Sequence, residues 1–321
     1  MKKAENKIVV VTGASSGAGR AIAIELAREG AQLVLASRRE EALAEVVDEC
    51  KEVGGSAVAF VTDVKEMLDV HRLAKETVQQ FGAIDVWVNN AGVLAAGAFD
   101  NIPAEVNEDV IRTNLFGYMH GAQAVLPVFK QQGYGLLINN ISVGGWFYTP
   151  YMTAYSASKF GLRGFFESLK GELKQFPAIR ICDLYPGFLD TPGMQHAANY
   201  TGKTLRPAPP VYDPRKVAKA VVAAIQRPRD RIKIGSASFF LQAVHTFFPL
   251  LSRNITASVV RSYFARADES ETTSGNVLQP VDFGTGIDGG WQAYFDKGVL
   301  RKGVWVAAGL LAVAVILSRK K

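Results

Sequence analysis

K-I-V-V-V-T-G-A-S-S-G-A-G-R-A-I-A-I-E-L-A-R-E, residues 7–29, decides the fold. Lys7–Thr12 is a short β-branched run, of the kind that forms a strand buried on both faces of a parallel sheet. It breaks into T-G-A-S-S-G-A-G, after which Arg20–Glu29 carries apolar residues at helical spacing through Ala21, Ile22, Ile24 and Leu26. The reading is strand, glycine turn, helix. Such a turn lets the backbone approach a pyrophosphate, and free amides at the helix N-terminus favour negative charge. Gly13, Ser15, Ser16, Gly17, Ala18 and Gly19 are therefore candidate dinucleotide-binding residues; a bare glycine pattern also fits a purely structural turn. The apolar run is too short, and too soon followed by glycine, to be a signal-peptide core.

Working outward, a second strand, Gln32–Ala36, ends in Ser37-Arg38-Arg39. An acidic residue here would bind the ribose 2′-hydroxyl of NAD; a hydroxyl and two guanidiniums suit a 2′-phosphate, so the expected coenzyme is NADP, with NADPH preferred over NADH. The competing reading has Arg38 and Arg39 begin the solvated face of a helix over Glu40–Glu52. Further strands are expected at Ala57–Val61, Ile84–Val88, 135–142, Ile179–Leu184 and Arg231–Ile234. They lead into Asp63-Val64, Asn89-Asn90-Ala91-Gly92, Ser142 and Pro186-Gly187 respectively, except the last. Asp63 can meet an adenine edge or cap the following helix. Strands alternating with helical stretches give an α/β fold: a doubly wound, Rossmann-type parallel sheet of about seven strands, helices on both faces. Ligands bind such sheets at the carboxyl ends of the strands, where these residues fall.

The run S-V-G-G-W-F-Y-T-P-Y-M-T-A-Y-S-A-S-K, 142–159, holds a hydroxyl at Ser142, a phenol at Tyr155 and an ammonium at Lys159. On a helix, Tyr155 and Lys159 lie one turn apart on one face. A phenol titrates near 10, too high for proton exchange at neutrality. A lysine charge about 4 Å away is worth about 4 kcal/mol at an effective dielectric of about 20, enough to lower that pKa by up to about three. The expectation is a phenol lowered by its lysine; Y-x-x-x-K on its own is more often a surface pair. Trp146, Phe147 and Tyr148 suit either a pocket lining or core packing.

Composition narrows the classes. The 321 residues are 48% hydrophobic and 21% charged, as in a globular chain. Cys50 and Cys182 fit no metal or redox spacing and are expected to be reduced; His71, His120, His196 and His245 form no ligand pair, so no metal site is expected. The net charge of +6 is dispersed, apart from Arg227–Arg231 and the last three residues, which argues against nucleic acid and for a phosphorylated coenzyme and an anionic membrane surface.

Taken together, T-G-x-x-x-G-x-G at 12–19, N-N-A-G at 89–92, Asn114, Ser142, Y-x-x-x-K at 155–159 and P-G-x-x-x-T at 186–191 resemble the short-chain dehydrogenases/reductases over roughly residues 5–235. No catalytic position departs from that pattern. The resemblance implies hydride transfer between a nicotinamide and a carbonyl or alcohol, with Tyr155 as proton donor or acceptor, Lys159 lowering its pKa and bonding the nicotinamide ribose, and Ser142 holding the substrate oxygen. It implies that Asn114 holds a water reaching Lys159, that Thr191 contacts the nicotinamide or the phosphates, and that Asn90, Ala91, Gly92, Pro186 and Gly187 meet the coenzyme. It also implies a homodimer or homotetramer through helices near 104–130 and 153–175. Thr191 as a cap before Pro192, and Asn114 as a buried structural amide, are the bland alternatives.

Four regions are expected: a catalytic domain, 1–235; an apolar helical extension, 236–267, broken at Pro249; a polar, glycine-rich flexible linker, 268–298; and a C-terminal membrane anchor, 299–321. The extension either packs on the core or dips into a bilayer. Val304–Leu317 is 14 residues without a charge, bracketed by Arg301-Lys302 and Arg319-Lys320-Lys321. As a helix it reaches about 21 Å, short of the ~30 Å hydrocarbon core, but flanking cations can snorkel. The catalytic domain would then face the cytoplasm, membrane-associated through its tail, and act on a lipophilic substrate. The rival from another class is a membrane-tethered NADP-binding scaffold without turnover.

Overall fold

The computed structural model describes residues 4–296. Seven strands form one parallel sheet: β1 Ile8–Thr12, β2 Gln32–Ser37, β3 Ser56–Val61, β4 Val86–Asn89, β5 Gly135–Asn140, β6 Ile179–Pro186 and β7 Arg231–Ile234. Their order is β3-β2-β1-β4-β5-β6-β7, and every pairing is parallel. The chain runs outward from β1 to one edge, then returns to the other side of β1 as β4. That reversal opens a crevice between the carboxyl ends of β1 and β4, the place where such sheets take ligands.

The β-branched run explains why β1 is central. Successive side chains alternate between faces, so a strand covered on both sides must be apolar throughout. Val9 and Val11 enter a core with Ile22, Leu26, Val217 and Val221, on the face covered by α1 Gly17–Arg28, α2 Glu40–Glu52 and α7 Arg215–Gln226. Val10 enters the opposite core with Leu73, Trp87, Val125, Leu162 and Phe166, under α3 Met67–Phe81, α5 Gly117–Gln132 and α6 Thr153–Glu172. Burying each Val contributes about 1.5–3 kcal/mol.

α4 Ala104–Ile111 runs into α5 through a wider, π-helical turn, Arg112–Phe116. Beyond β7 the extension is two helices, α8 Ser236–Phe247 and α9 Pro249–Phe264, separated at Pro249. It packs on the domain: the Tyr148 hydroxyl donates to the Pro249 carbonyl, Tyr148 meets His245 edge-on at 4.8 Å, and Tyr151 meets Phe264 at 5.3 Å. It also leaves Phe239, Phe240, Phe247 and Leu250 exposed, Phe247 by 74%.

Residues 268–296, whose composition suggests a linker, do not hang free of the domain. They lie as a strap along the carboxyl edge of the sheet and end in the short helix α10 Trp291–Asp296. The glycines that suggest flexibility sit where backbone approaches backbone or ring: a Cβ at Gly284 would strike the His196 ring, and one at Gly289 the Thr191 carbonyl. No helix among the described residues is long and apolar enough to cross a membrane; the segment 299–321 lies outside them.

Candidate active site

β1 ends at Thr12, and the chain turns at Gly13 with φ +64°. A Cβ there would lie 2.6 Å from the Ala91 Cα, and one at Gly19 would strike the Gly13 carbonyl. The loop from β1 and the loop after β4 are thus in backbone contact. Asn90 binds them: its Nδ2 donates to the Thr12 and Gly13 carbonyls, both at 3.1 Å, and its Oδ1 accepts from Asn140 Nδ2 at 2.9 Å. Asn89 instead turns into the sheet, where its Nδ2 donates to Asn139 Oδ1 at 3.0 Å and Asn139 Nδ2 donates to Asp183 Oδ1 at 2.9 Å.

One cavity of about 370 Å³ runs along this edge, lined by Gly13, Ser15, Ser16, Gly17, Ala18 and Gly19, by Ser37, Arg38 and Arg39, by Asp63 and Val64, and by Asn90, Ala91 and Gly92. Pro186, Gly187, Thr191, Ser142, Tyr155 and Lys159 complete it, so every residue expected to meet coenzyme lies on one surface. Its chemistry fits a dinucleotide. The first turn of α1 carries no acidic residue, and Ser16 leaves the helix amides uncapped by any side chain. Among the described residues neither Arg38 nor Arg39 forms a salt bridge; both donate to backbone carbonyls of the strap. Asp63 is not the cap of α3, which starts after Glu66; its Oδ1 accepts from the Lys65 N–H at 3.0 Å. Thr191 opens a short 3-10 turn without a side-chain cap bond, and its methyl faces Gly17.

At the other end of the cavity, β5 stops at Asn140, and Ser142 follows with φ +111°. Its Oγ accepts from the Gly144 N–H at 3.1 Å and is hydrogen-bonded to the Tyr155 phenol. Gly144 is a site residue the sequence reading passed over. A Cβ on it would meet Tyr155 at 3.1 Å, Ser142 Oγ at 3.5 Å and Lys159 at 3.7 Å, so it is the bare wall behind all three. The V-G-G after Ser142 was the available signal.

Tyr155 and Lys159 lie one turn apart on α6. The Lys159 Nζ sits 5.1 Å from the Tyr118 ring centre and 5.6 Å from that of Tyr155. Burial lowers the lysine to about 7. Burial also raises the Tyr155 phenol above its ordinary value, and the Ser142 hydrogen bond only partly offsets this. The expected lowering of the phenol by Lys159 is therefore corrected: desolvation penalises both charged forms, and a lysine so lowered is a weak source of positive potential.

Asn114 stands behind this surface in the π-helical turn, fully buried. Its Oδ1 accepts from the Val93 N–H at 2.8 Å, and its Nδ2 donates to the Val93 carbonyl at 2.9 Å and Ser158 Oγ at 3.3 Å. The side chain thus braces α6 against the loop after β4. Phe147 lines the cavity, while Trp146 stacks on Arg163 and Tyr148 joins the extension. Burial pushes the Cys50 and Cys182 thiols up to about 12, away from any reactive thiolate.

The model of the short chain dehydrogenase family matches residues 7–201. An uncharacterized oxidoreductase of Bacillus subtilis, YxnA, is 33% identical over 98% of this chain and 91% of its own length. The 11-beta-hydroxysteroid dehydrogenase-like protein 4A of Arabidopsis thaliana is 36% identical over 59% of this chain and 63% of its own. Among solved structures, an alcohol dehydrogenase of Thermococcus sibiricus complexed with 5-hydroxy-NADP superposes with a TM-score of 0.64 at 28% identity, over 73% of this chain and 98% of its own. A variant actinorhodin polyketide ketoreductase with NADPH gives 0.66 at 28% identity, over 74% and 97%.

Proposed function

Because the chain belongs to the short chain dehydrogenase family, we propose that it is an NADP-dependent oxidoreductase acting on a lipophilic carbonyl or alcohol, with Tyr155 as general acid/base. The observation that carries the reading is one cavity with Ser142, Tyr155 and Lys159 at one end and Arg38 and Arg39 at the other. The two arginines, with no carboxylate at the end of β2, support the 2′-phosphorylated coenzyme.

The coenzyme, when bound, supplies or takes the hydride. The protein's residues manage the oxygen. Ser142 accepts from Gly144, and its hydroxyl proton, shared with the Tyr155 oxygen, can turn to the substrate oxygen when one is bound. Tyr155, kept protonated by burial, delivers its proton as negative charge develops on that oxygen. Lys159, near 7, is poised to return a proton to the phenol at neutral pH. In the oxidative direction the same groups take the alcohol proton away.

A lipophilic substrate is supported by Val93, Leu94, Phe147, Met152 and Phe188 at the Ser142 end. Attachment to a membrane rests on Val304–Leu317 and the exposed phenylalanines of α8, with the catalytic domain on the cytoplasmic side. A dimer or tetramer through α4–α5 and α6 is part of the proposal, its support being the small residues Ala157 and Gly161; Ala154 and Ser158 are buried within the chain.

The test is NADPH oxidation against carbonyls of graded chain length, beside Tyr155→Phe. Turnover rising with chain length and falling at least about 10³-fold in the variant, with NADPH still bound, is expected. If neither carbonyls nor the matching alcohols with NADP⁺ react although coenzyme binds, the scaffold reading replaces this one.

A further inference from the structure

Arg38 and Arg39, both lining the cavity, have no salt-bridge partner among the described residues. Arg20 is neutralised by Glu45 and Glu49, and Arg215 by Asp213 and Asp288. Arg38 and Arg39 are held instead by neutral carbonyl oxygens of the strap. Arg38 Nη2 donates to Asn276 at 2.6 Å, and Arg39 Nη1 donates to Val281. A carbonyl orients a guanidinium without cancelling its charge, and five donors per guanidinium leave others free.

The strap is pinned on both sides of this contact. Upstream, Thr273 pairs with Asn199 and the Asn276 N–H donates to the His196 carbonyl at 2.8 Å. Downstream, Asp190, only 4% exposed, accepts from the N–H groups of Gly289, Trp291 and Gln292 at 3.1, 2.8 and 3.1 Å. Between the pins, the Gly286 carbonyl takes the Gly17 N–H at 2.9 Å, and the Thr285 carbonyl takes Arg20 Nη1 at 2.8 Å. The cavity stays open beneath, with Asn276, Val281, Phe283 and Thr285 on one side and the glycine turn on the other.

We propose that residues 276–286 are the second wall of the coenzyme site: a strap that closes over the phosphate and adenosine end and holds Arg38 and Arg39 facing the 2′-phosphate. The inference rests on the coenzyme reading above. It makes strap closure and NADPH binding mutually reinforcing, and it makes strap opening a step in coenzyme release.

Hydrogen exchange on the whole chain, with and without saturating NADPH, tests it. Amides of 276–286 should slow by about tenfold or more together with those of the glycine turn. Protection of the turn with the strap unchanged or faster overturns the strap while leaving the coenzyme reading intact. Protection of neither removes both. As a second measurement, Asp190→Ser combined with Asp288→Ala loosens the downstream pin. NADPH release followed by stopped-flow fluorescence should quicken about tenfold. Unchanged or slower release, with the fold intact by circular dichroism, overturns the proposal; so does tighter binding, which would mark the strap as an occluder.

Discussion

Ser142 adopts φ +111° and ψ 156°, a region that costs a residue with a Cβ about 1–3 kcal/mol. The strain turns its hydroxyl from the sheet toward Tyr155, and the Gly144 amide fixes the oxygen. Lys159 carries a second cost. Its folded pKa of about 7 lies below the ordinary 10.5, so between those values the folded protein binds fewer protons than the unfolded chain. Stability attributable to this residue therefore rises as the pH climbs from about 7 toward about 10.5, and below about 7 the full penalty of a buried ammonium is present. Lys159→Met removes that penalty while abolishing turnover. Its melting temperature should exceed the wild type's by about 4 °C or more near pH 6, with the gap shrinking toward about pH 9.5. A gap that is constant or widens with pH, in thermal melts across that range, would contradict the assigned burial.

Each element places its chemistry by a different local rule. α1 begins at Gly17 because the glycine turn ends there, and its amides have no side-chain cap and no acidic neighbour in the first turn, the Gly17 N–H donating to the Gly286 carbonyl. β2 ends at Ser37 and hands Arg38 and Arg39 to the cavity, settling which side of the strand end they occupy. Replacing both, as Arg38→Ser with Arg39→Ser, should weaken NADPH binding by about tenfold or more and NADH by under about threefold, measured by fluorescence titration. Wild-type protein that binds NADH as tightly as NADPH would sink the 2′-phosphate reading. Across the sheet, Trp87, Asn89, Asn139, Asp183 and Lys170 form a buried polar row, with Lys170 Nζ 2.6 Å from Asp183. Strand register brings Asn89 level with Asn139, and Asn139 level with Asp183, so the row ties β4 to β6 below the site.

At the scale of the whole molecule, the extension and the strap lie on the catalytic domain from two sides. α8 and α9 cover the aromatic segment beside the Ser142 end and keep phenylalanines outward; the strap covers the Arg38 end. Under the proposed membrane attachment, the exposed phenylalanines would adjoin the substrate end while coenzyme enters elsewhere. Deleting 299–321 should move the protein from the membrane pellet to the soluble fraction at low salt, with NADPH affinity unchanged. An unchanged pellet fraction would refute the anchor.

Fold and coenzyme turn were legible because they depend on neighbours in the chain. The β-branched run at Lys7–Thr12, the glycines at 13, 17 and 19, and the one-turn spacing of Tyr155 and Lys159 carry their meaning over a few residues. Tertiary structure alone decided three matters. Asn114 uses its amide on Val93 and Ser158, partners 21 and 44 residues away. The phenol of Tyr155 is raised because burial from many directions outweighs the Ser142 hydrogen bond. The segment 268–296 reads as a linker because its own residues bury little apolar surface; its order comes from Arg38, Arg39 and Asp190, whose guanidiniums and carboxylate satisfy its backbone across 99 to 242 residues of chain. Such contacts leave no periodic trace in a sequence, since backbone carbonyls and amides are the same at every position.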